Sequence, residues 1–204
     1  PELLTGLPSG LAVSSGLNAL AHAVDALWAP KADPIATALG LEGSRALASG
    51  LPKVAADGTD VEGIAETLYG AYLAAVAFAT TGSGLHHKIC HVLGGTFNLP
   101  HADAHAIVLP YVLAFNAPAV PDLEARLADA LGGDTASGAL EDLRGRTGAP
   151  RALKDIGMPE AGIPDAVGRV LAVAPASNPR EVTEENMTGL LRAAWQGDDP
   201  RSIA

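Results

Sequence analysis

Proline and glycine interrupt this 204-residue chain at intervals of about 10 to 20 residues, the ordinary length of a globular helix. That spacing constrains the fold more than any other feature. The breaks fall at Pro8, Pro30 to Pro34, Asp57 to Asp60, Pro100, Pro118 to Pro121, Gly132-Gly133, Gly148 to Pro150, Gly157 to Pro164 and Pro175 to Pro179. Between them the chain is rich in alanine and leucine. Its 48% hydrophobic content includes only two Trp, three Tyr and three Phe, so the core is built from Ala, Leu, Val and Ile. Alanine and leucine favour helix strongly.

Leu17, Leu20, Ala21, Val24 and Leu27 recur at helical spacing, with Ser14 and Ser15 at the cap or in the first half of that helix. Residues 61–80 are apolar on most sides, which predicts a central helix. Residues 121–131, 135–147 and 183–196 read as amphipathic helices. Residues 106–115 contain β-formers, but Pro110 would break a ladder and suits a kinked helix instead. The expected fold is an all-α helical bundle spanning 1–204, with 1–116 carrying the site and 117–204 supporting it.

The net charge of −10 excludes a polyanion-binding surface, because nucleic acid requires concentrated Lys and Arg. No uninterrupted apolar stretch reaches the ~18 residues of a membrane span, and no signal peptide is visible. A single cysteine excludes an internal disulfide and fits a reducing cytoplasm. The chain opens on Pro1 and runs straight into structured sequence, which reads as the second half of a longer polypeptide.

Chemistry concentrates in HHKICHVLGGTFNLPHADAHA, residues 86–106, which holds five of the six histidines. Asn18 and His22 are four apart, as are His87 and His91, so each pair shares a helix face. His101 follows Pro100 at a turn, and His105 lies four further on. Two helices and one turn could bring these groups to a single cavity. Imidazole serves there either as a metal ligand or as a proton carrier. An isolated histidine pair is more often surface or satisfied core; three such spacings in one region are not. No HExxH and no His-Asp doublet occurs.

The neighbouring residues read more plainly. His86 points about 100° from His87 and is assigned to the rim or solvent. Lys88 reads as solvated and Cys90 as a buried small hydrophobe. Gly94 and Gly95 permit either close helix packing or backbone approach to a ligand. Gly82-Ser83-Gly84 is no dinucleotide fingerprint. Asp25 and Trp28 read as structural. Asp103 reads equally as an orienting partner for an imidazole or as an exposed acid.

GLNALAHAVDALWAP followed by GLHHKICHVLGGTFNLPHADAHAIVLPYVLAFN resembles the C-terminal helical domain of the iron-containing alcohol dehydrogenase superfamily, a dehydroquinate synthase-like helical domain. Within it the sequence is most similar to the maleylacetate reductases. The likeness runs from Pro1 through Asn116 and weakens beyond. In metal-dependent members, an Asp four residues before the histidine matching His22 binds iron or zinc. It does so with the histidines matching His22, His87 and His101. Here that position is Asn18, whose neutral amide is a weaker ligand for a divalent ion. The resemblance therefore implies a maleylacetate reductase-type enzyme of aromatic-compound degradation that works without a bound metal.

The same resemblance implies roles for the cluster. NADH or NADPH, bound mainly by an N-terminal α/β nucleotide-binding half absent from these residues, would supply hydride. His91 is the expected catalytic group, donating to the developing enolate or delivering the proton. Asn18, His22, His87, His101 and His105 are expected to bind the carboxylates of a small dicarboxylate, better when the imidazoles are protonated. The partners expected are that nucleotide-binding half and a second copy of the chain in a homodimer. On its own the chain should show negligible reductase activity. The competing readings are a metal-dependent alcohol dehydrogenase that tolerates Asn18 and a non-enzymatic helical module with an exposed apolar face.

Overall fold

The computed structural model describes residues 1–203, which form nine α-helices joined by short turns, with no strand among them. They are α1 (Ser9–Ala26), α2 (Pro34–Ala56), α3 (Val61–Thr81), α4 (Leu85–Phe97) and α5 (His101–Asn116), then α6 (Pro121–Leu131), α7 (Ala136–Thr147), α8 (Ile163–Val173) and α9 (Glu184–Gln196). The all-helical expectation is met, and the proline and glycine breaks mark the boundaries. Asp33 caps α2 by accepting from the Ile35 and Ala36 amides, with Pro34 at the first turn where no donor is needed. Thr183 and Asn186 form a capping box on α9. Gly132 and Gly148 end α6 and α7 with φ of 81° and 65°, a conformation that costs glycine little.

The centre of the bundle is α5, in which every residue from Ala104 to Asn116 is buried. One side of it packs Ala106, Leu109 and Leu113 into a cluster with Leu17, Leu20, Leu47, Leu51, Leu127 and Leu140 from α1, α2, α6 and α7. The other side packs Ile107, Tyr111 and Phe115 against Leu93, Val167 and Leu190 from α4, α8 and α9. Each such side chain contributes about 1.5–3 kcal/mol when fully buried. Helix α5 holds the two halves of the core together. Pro110 lies within it, as the sequence suggested, and cannot donate to the carbonyl one turn back.

Residues 61–80 do form a helix, but not the central one. Helix α3 buries only the stripe containing Ile64, Gly70, Leu73, Ala74 and Ala77. It leaves Leu68, Tyr69 and Tyr72 at 40%, 50% and 67% exposure. Composition is the reason for the misreading: a helix apolar all round does not announce which of its faces is covered. Its covered face lies unusually close to α2, where a Cβ on Gly70 would sit 2.8 Å from the Gly43 carbonyl oxygen. By length and hydropathy alone α3 could cross a membrane, although Glu62 and Glu66 interrupt its apolar run. In the fold it lies along α2, joined by the Lys53–Glu66 ion pair.

Candidate active site

Three helices meet at one face of α5. Helix α1 brings Asn18, His22 and Asp25; α4 brings His86, His87, Cys90 and His91; α5 brings His101, Asp103 and His105. The His22 and His87 rings stack with centroids 4.8 Å apart and planes 12° apart. His105 lies 5.0 Å from His87 and 4.4 Å from His101, while His91 stands edge-on to His87 at 6.1 Å. The five rings therefore form one connected wall. Asn18 is one turn before His22 on α1, and its Oδ1 is buried without a hydrogen-bond partner. The ring of Phe78, from α3, covers both His22 (4.6 Å) and His87 (4.3 Å).

Asp25 anchors this wall. It is 1% exposed, and its Oδ2 accepts from His87 Nδ1 at 2.8 Å, from the Gly84 amide at 2.8 Å and from the His87 amide at 3.4 Å. A carboxylate only accepts, so the His87 Nδ1 carries the proton between them, and Nε2 is the ring nitrogen turned away from Asp25. That Nε2 has no partner within the chain. Gly84 permits the contact, since a Cβ there would fall 2.4 Å from Asp25 Oδ1. Reading Asp25 as merely structural missed this pairing. The available signal was a lone acid in AHAVDALW, three residues beyond His22 on an apolar helix.

His86 also departs from expectation. It is 1% exposed, not at the rim, and its Nε2 lies 2.9 Å from His105 Nδ1. The 100° turn from His87 aims it inward at α5 rather than outward at water. Asp103 orients no imidazole; it accepts from Ser14 Oγ at 2.5 Å and ties α5 to α1. Added methyls at Gly94 and Gly95 would meet nothing within 4 Å, so no helix packs closely there. Cys90 and Trp28 are buried as expected, and Lys88 is half-buried.

Burial favours the neutral form of His22, His86, His91 and His105. Burial, followed by repulsion from His87, lowers His22 from 6.5 to about 4. Burial chiefly lowers His105 to about 2 and pushes His86 well below 6.5. His91, more exposed at the mouth, is lowered by the same cause. The expectation that protonated imidazoles greet an anion therefore needs correction for His22 and His105. Near pH 7 they meet it as neutral N–H donors, because like charges so close and so dry repel.

A stability prediction follows from the sign of these shifts. The native chain takes up these protons less readily than the unfolded chain, so stability is complete above about pH 6.5 and falls as the pH drops through and below it. His22, His86 and His105 all bind protons less readily in the folded chain, so stability should fall with each unit of pH lost between roughly pH 6 and 4.5. Urea midpoints measured across pH 7 to 4.5 should fall steeply, and His105→Asn should make the fall shallower. A midpoint flat down to pH 5 would contradict the assignment.

The chain belongs to the Fe-containing alcohol dehydrogenase family, whose C-terminal region is matched by residues 12–195. It is 44% identical over 98% of its length to a maleylacetate reductase of Pseudomonas sp. strain P51, of which it covers 57%. Among solved structures, it superposes with a TM-score of 0.98 and 57% identity on an iron-containing alcohol dehydrogenase from Corynebacterium glutamicum. That match covers all of this chain and 57% of the other. It also superposes with a TM-score of 0.92 and 41% identity on maleylacetate reductase from Rhizobium sp. strain MTP-10005, covering 98% and 56%. The chain thus spans little more than half the length of these relatives.

The family's name raises the question of an iron or zinc ion. At the positions the resemblance implicates, this chain offers three imidazoles and the neutral Asn18 amide. The nearby carboxylate of Asp25 is committed to His87 and Gly84. Among the described residues, the three ligand-type side chains whose donor atoms lie within 4.8 Å of one another are His86, Cys90 and His105, a different set. With Asn18 in place of an acid, these positions supply no carboxylate to balance a divalent charge, so an ion there would rest on three imidazoles and an amide.

Proposed function

We propose that this chain is the helical catalytic half of an NAD(P)H-dependent reductase acting on a small unsaturated oxo-dicarboxylate, maleylacetate, and yielding 3-oxoadipate in aromatic-compound degradation. Residues 1–116 carry the site, and 117–204 buttress α5 from behind. The observation that carries this reading is the wall of five imidazoles, in which His87 is locked by Asp25 and its Nε2 has no partner within the chain. Such a wall offers N–H groups to carboxylates and to a developing oxyanion.

The nicotinamide, when bound by a nucleotide-binding half, supplies hydride to the alkene carbon conjugate to the ketone. This chain's residues do the remainder. Asn18, His22, His87, His101 and His105 bind and orient the two carboxylates. His91, at the mouth and in reach of solvent protons, donates toward the ketone oxygen as charge gathers there. The enolate then takes one proton on carbon, so one hydride and one proton are consumed for each alkene reduced. The single buried thiol of Cys90 accords with a reducing cytoplasm as the working compartment.

The test joins these residues to a nucleotide-binding half from a relative and follows NADH and NADPH oxidation. Maleylacetate-dependent turnover that survives a strong chelator is the expected result. Turnover of simple alcohols with loss of activity on chelation would instead establish a metal-dependent alcohol dehydrogenase.

A further inference from the structure

We propose that His86, Cys90 and His105 form a buried three-coordinate binding site for a soft monovalent cation of the copper(I) type, lying beneath the imidazole wall. The proposal is independent of the reductase reading and adds no step to that reaction. His86 Nε2 lies 2.9 Å from His105 Nδ1 and 3.6 Å from Cys90 Sγ. The three donor atoms all fall within 4.8 Å of one another, and the residues are 1%, 0% and 2% exposed. His86 and Cys90 are one turn apart on α4, and His105 faces them from α5, so two rigid helices set the spacing.

The donor geometry suits three-fold coordination. With metal–nitrogen bonds of about 2.0 Å and metal–sulfur bonds of about 2.3 Å, a trigonal ion sets nitrogen–sulfur pairs roughly 3.7 Å apart and nitrogen pairs roughly 3.5 Å apart. The His86–Cys90 nitrogen–sulfur distance is already in place, and the His105 donor lies within 4.8 Å of the same sulfur. The two imidazoles, which now share one proton, need to separate by about half an ångström, a small ring rotation. The remaining ring nitrogens, His86 Nδ1 and His105 Nε2, have no partner in the chain. They are where the ring protons sit once Nε2 of His86 and Nδ1 of His105 both turn to the ion.

Ligand type and charge choose the ion. Thiolate with imidazole selects soft metals, and zinc ordinarily asks for a fourth ligand that this group does not supply among the described residues. One thiolate and two neutral imidazoles carry a single negative charge, which a monovalent cation cancels. A divalent ion would leave net charge in a dry pocket. Binding breaks the Cys90 S–H bond, forms the sulfur–metal bond and releases that proton to solvent, with no change of oxidation state.

The experiment titrates the purified chain without oxygen against the copper(I)–bicinchoninate complex, whose colour reports metal withdrawn by the protein. One copper(I) per folded chain is expected. Cys90→Ser and His86→Gln should each weaken binding at least tenfold while leaving the helical circular dichroism unchanged. His101→Gln, on the cavity side, should leave it intact. The proposal is overturned if the folded chain withdraws no copper(I), if either ligand variant binds like the parent, or if binding disappears with His101 instead. Zinc(II) held as tightly, with the same dependence on Cys90, would overturn the choice of a monovalent ion.

Discussion

Asp25→Ala should cost about 2–6 kcal/mol, roughly 1–3 kcal/mol for each buried donor left without an acceptor. The substitution leaves the Gly84 amide and the His87 Nδ1–H without an acceptor inside the protein, where each orphaned donor is expensive. Against a total stability of about 5–15 kcal/mol, the variant should be close to unfolding at 37 °C. Asp25→Asn should behave differently. All three N–H groups converge on one oxygen, Oδ2, which an amide oxygen can replace while keeping the contacts. That variant should retain most of the stability. Chemical denaturation of the two variants side by side decides the matter. Equal losses would mean that the carboxylate's charge, rather than its accepting oxygen, holds α1 to α4.

The second large effect concerns His91 in the enzyme completed with a nucleotide-binding half. His91→Ala should lower kcat on maleylacetate by about 10²- to 10⁴-fold, the range for loss of a positioned general acid, with little change in KM. Burial and the neighbouring His87 lower the His91 pKa in the free chain. A bound dianion favours the imidazolium and should raise it again. The basic limb of the kcat profile should therefore lie at higher pH than that of kcat/KM, because the first reports the complex and the second the free enzyme. If the variant instead raised KM and left kcat alone, His91 would be a binding group.

Much of this was legible in one dimension because its causes are local. Helix ends are written in prolines, glycines and capping side chains within a few residues of one another, and α6, α7 and α9 begin and end within a residue of where those signals put them. The four-residue spacings of Asn18 with His22 and His87 with His91 are local too, fixed by helical pitch. What could not be read depends on which faces meet. His86 and His87 are adjacent in sequence, and only the position of α5 decided that His86 turns inward to His105 while His87 turns to Asp25. Phe78 joined the site for the same reason, since nothing in its own neighbourhood marks it.

The sequence by itself determined an all-helical chain and the presence of an imidazole-rich segment with an amide at position 18. Tertiary structure alone decided that α5 is central and α3 peripheral. It also decided that Asp25 orients His87, and that burial favours the neutral form of His22, His86 and His105. The division is physical. Helix formation is settled by hydrogen bonds and side-chain preferences within one or two turns. Burial, which sets both the core and the protonation of the histidines, is a property of surfaces brought together from distant parts of the chain.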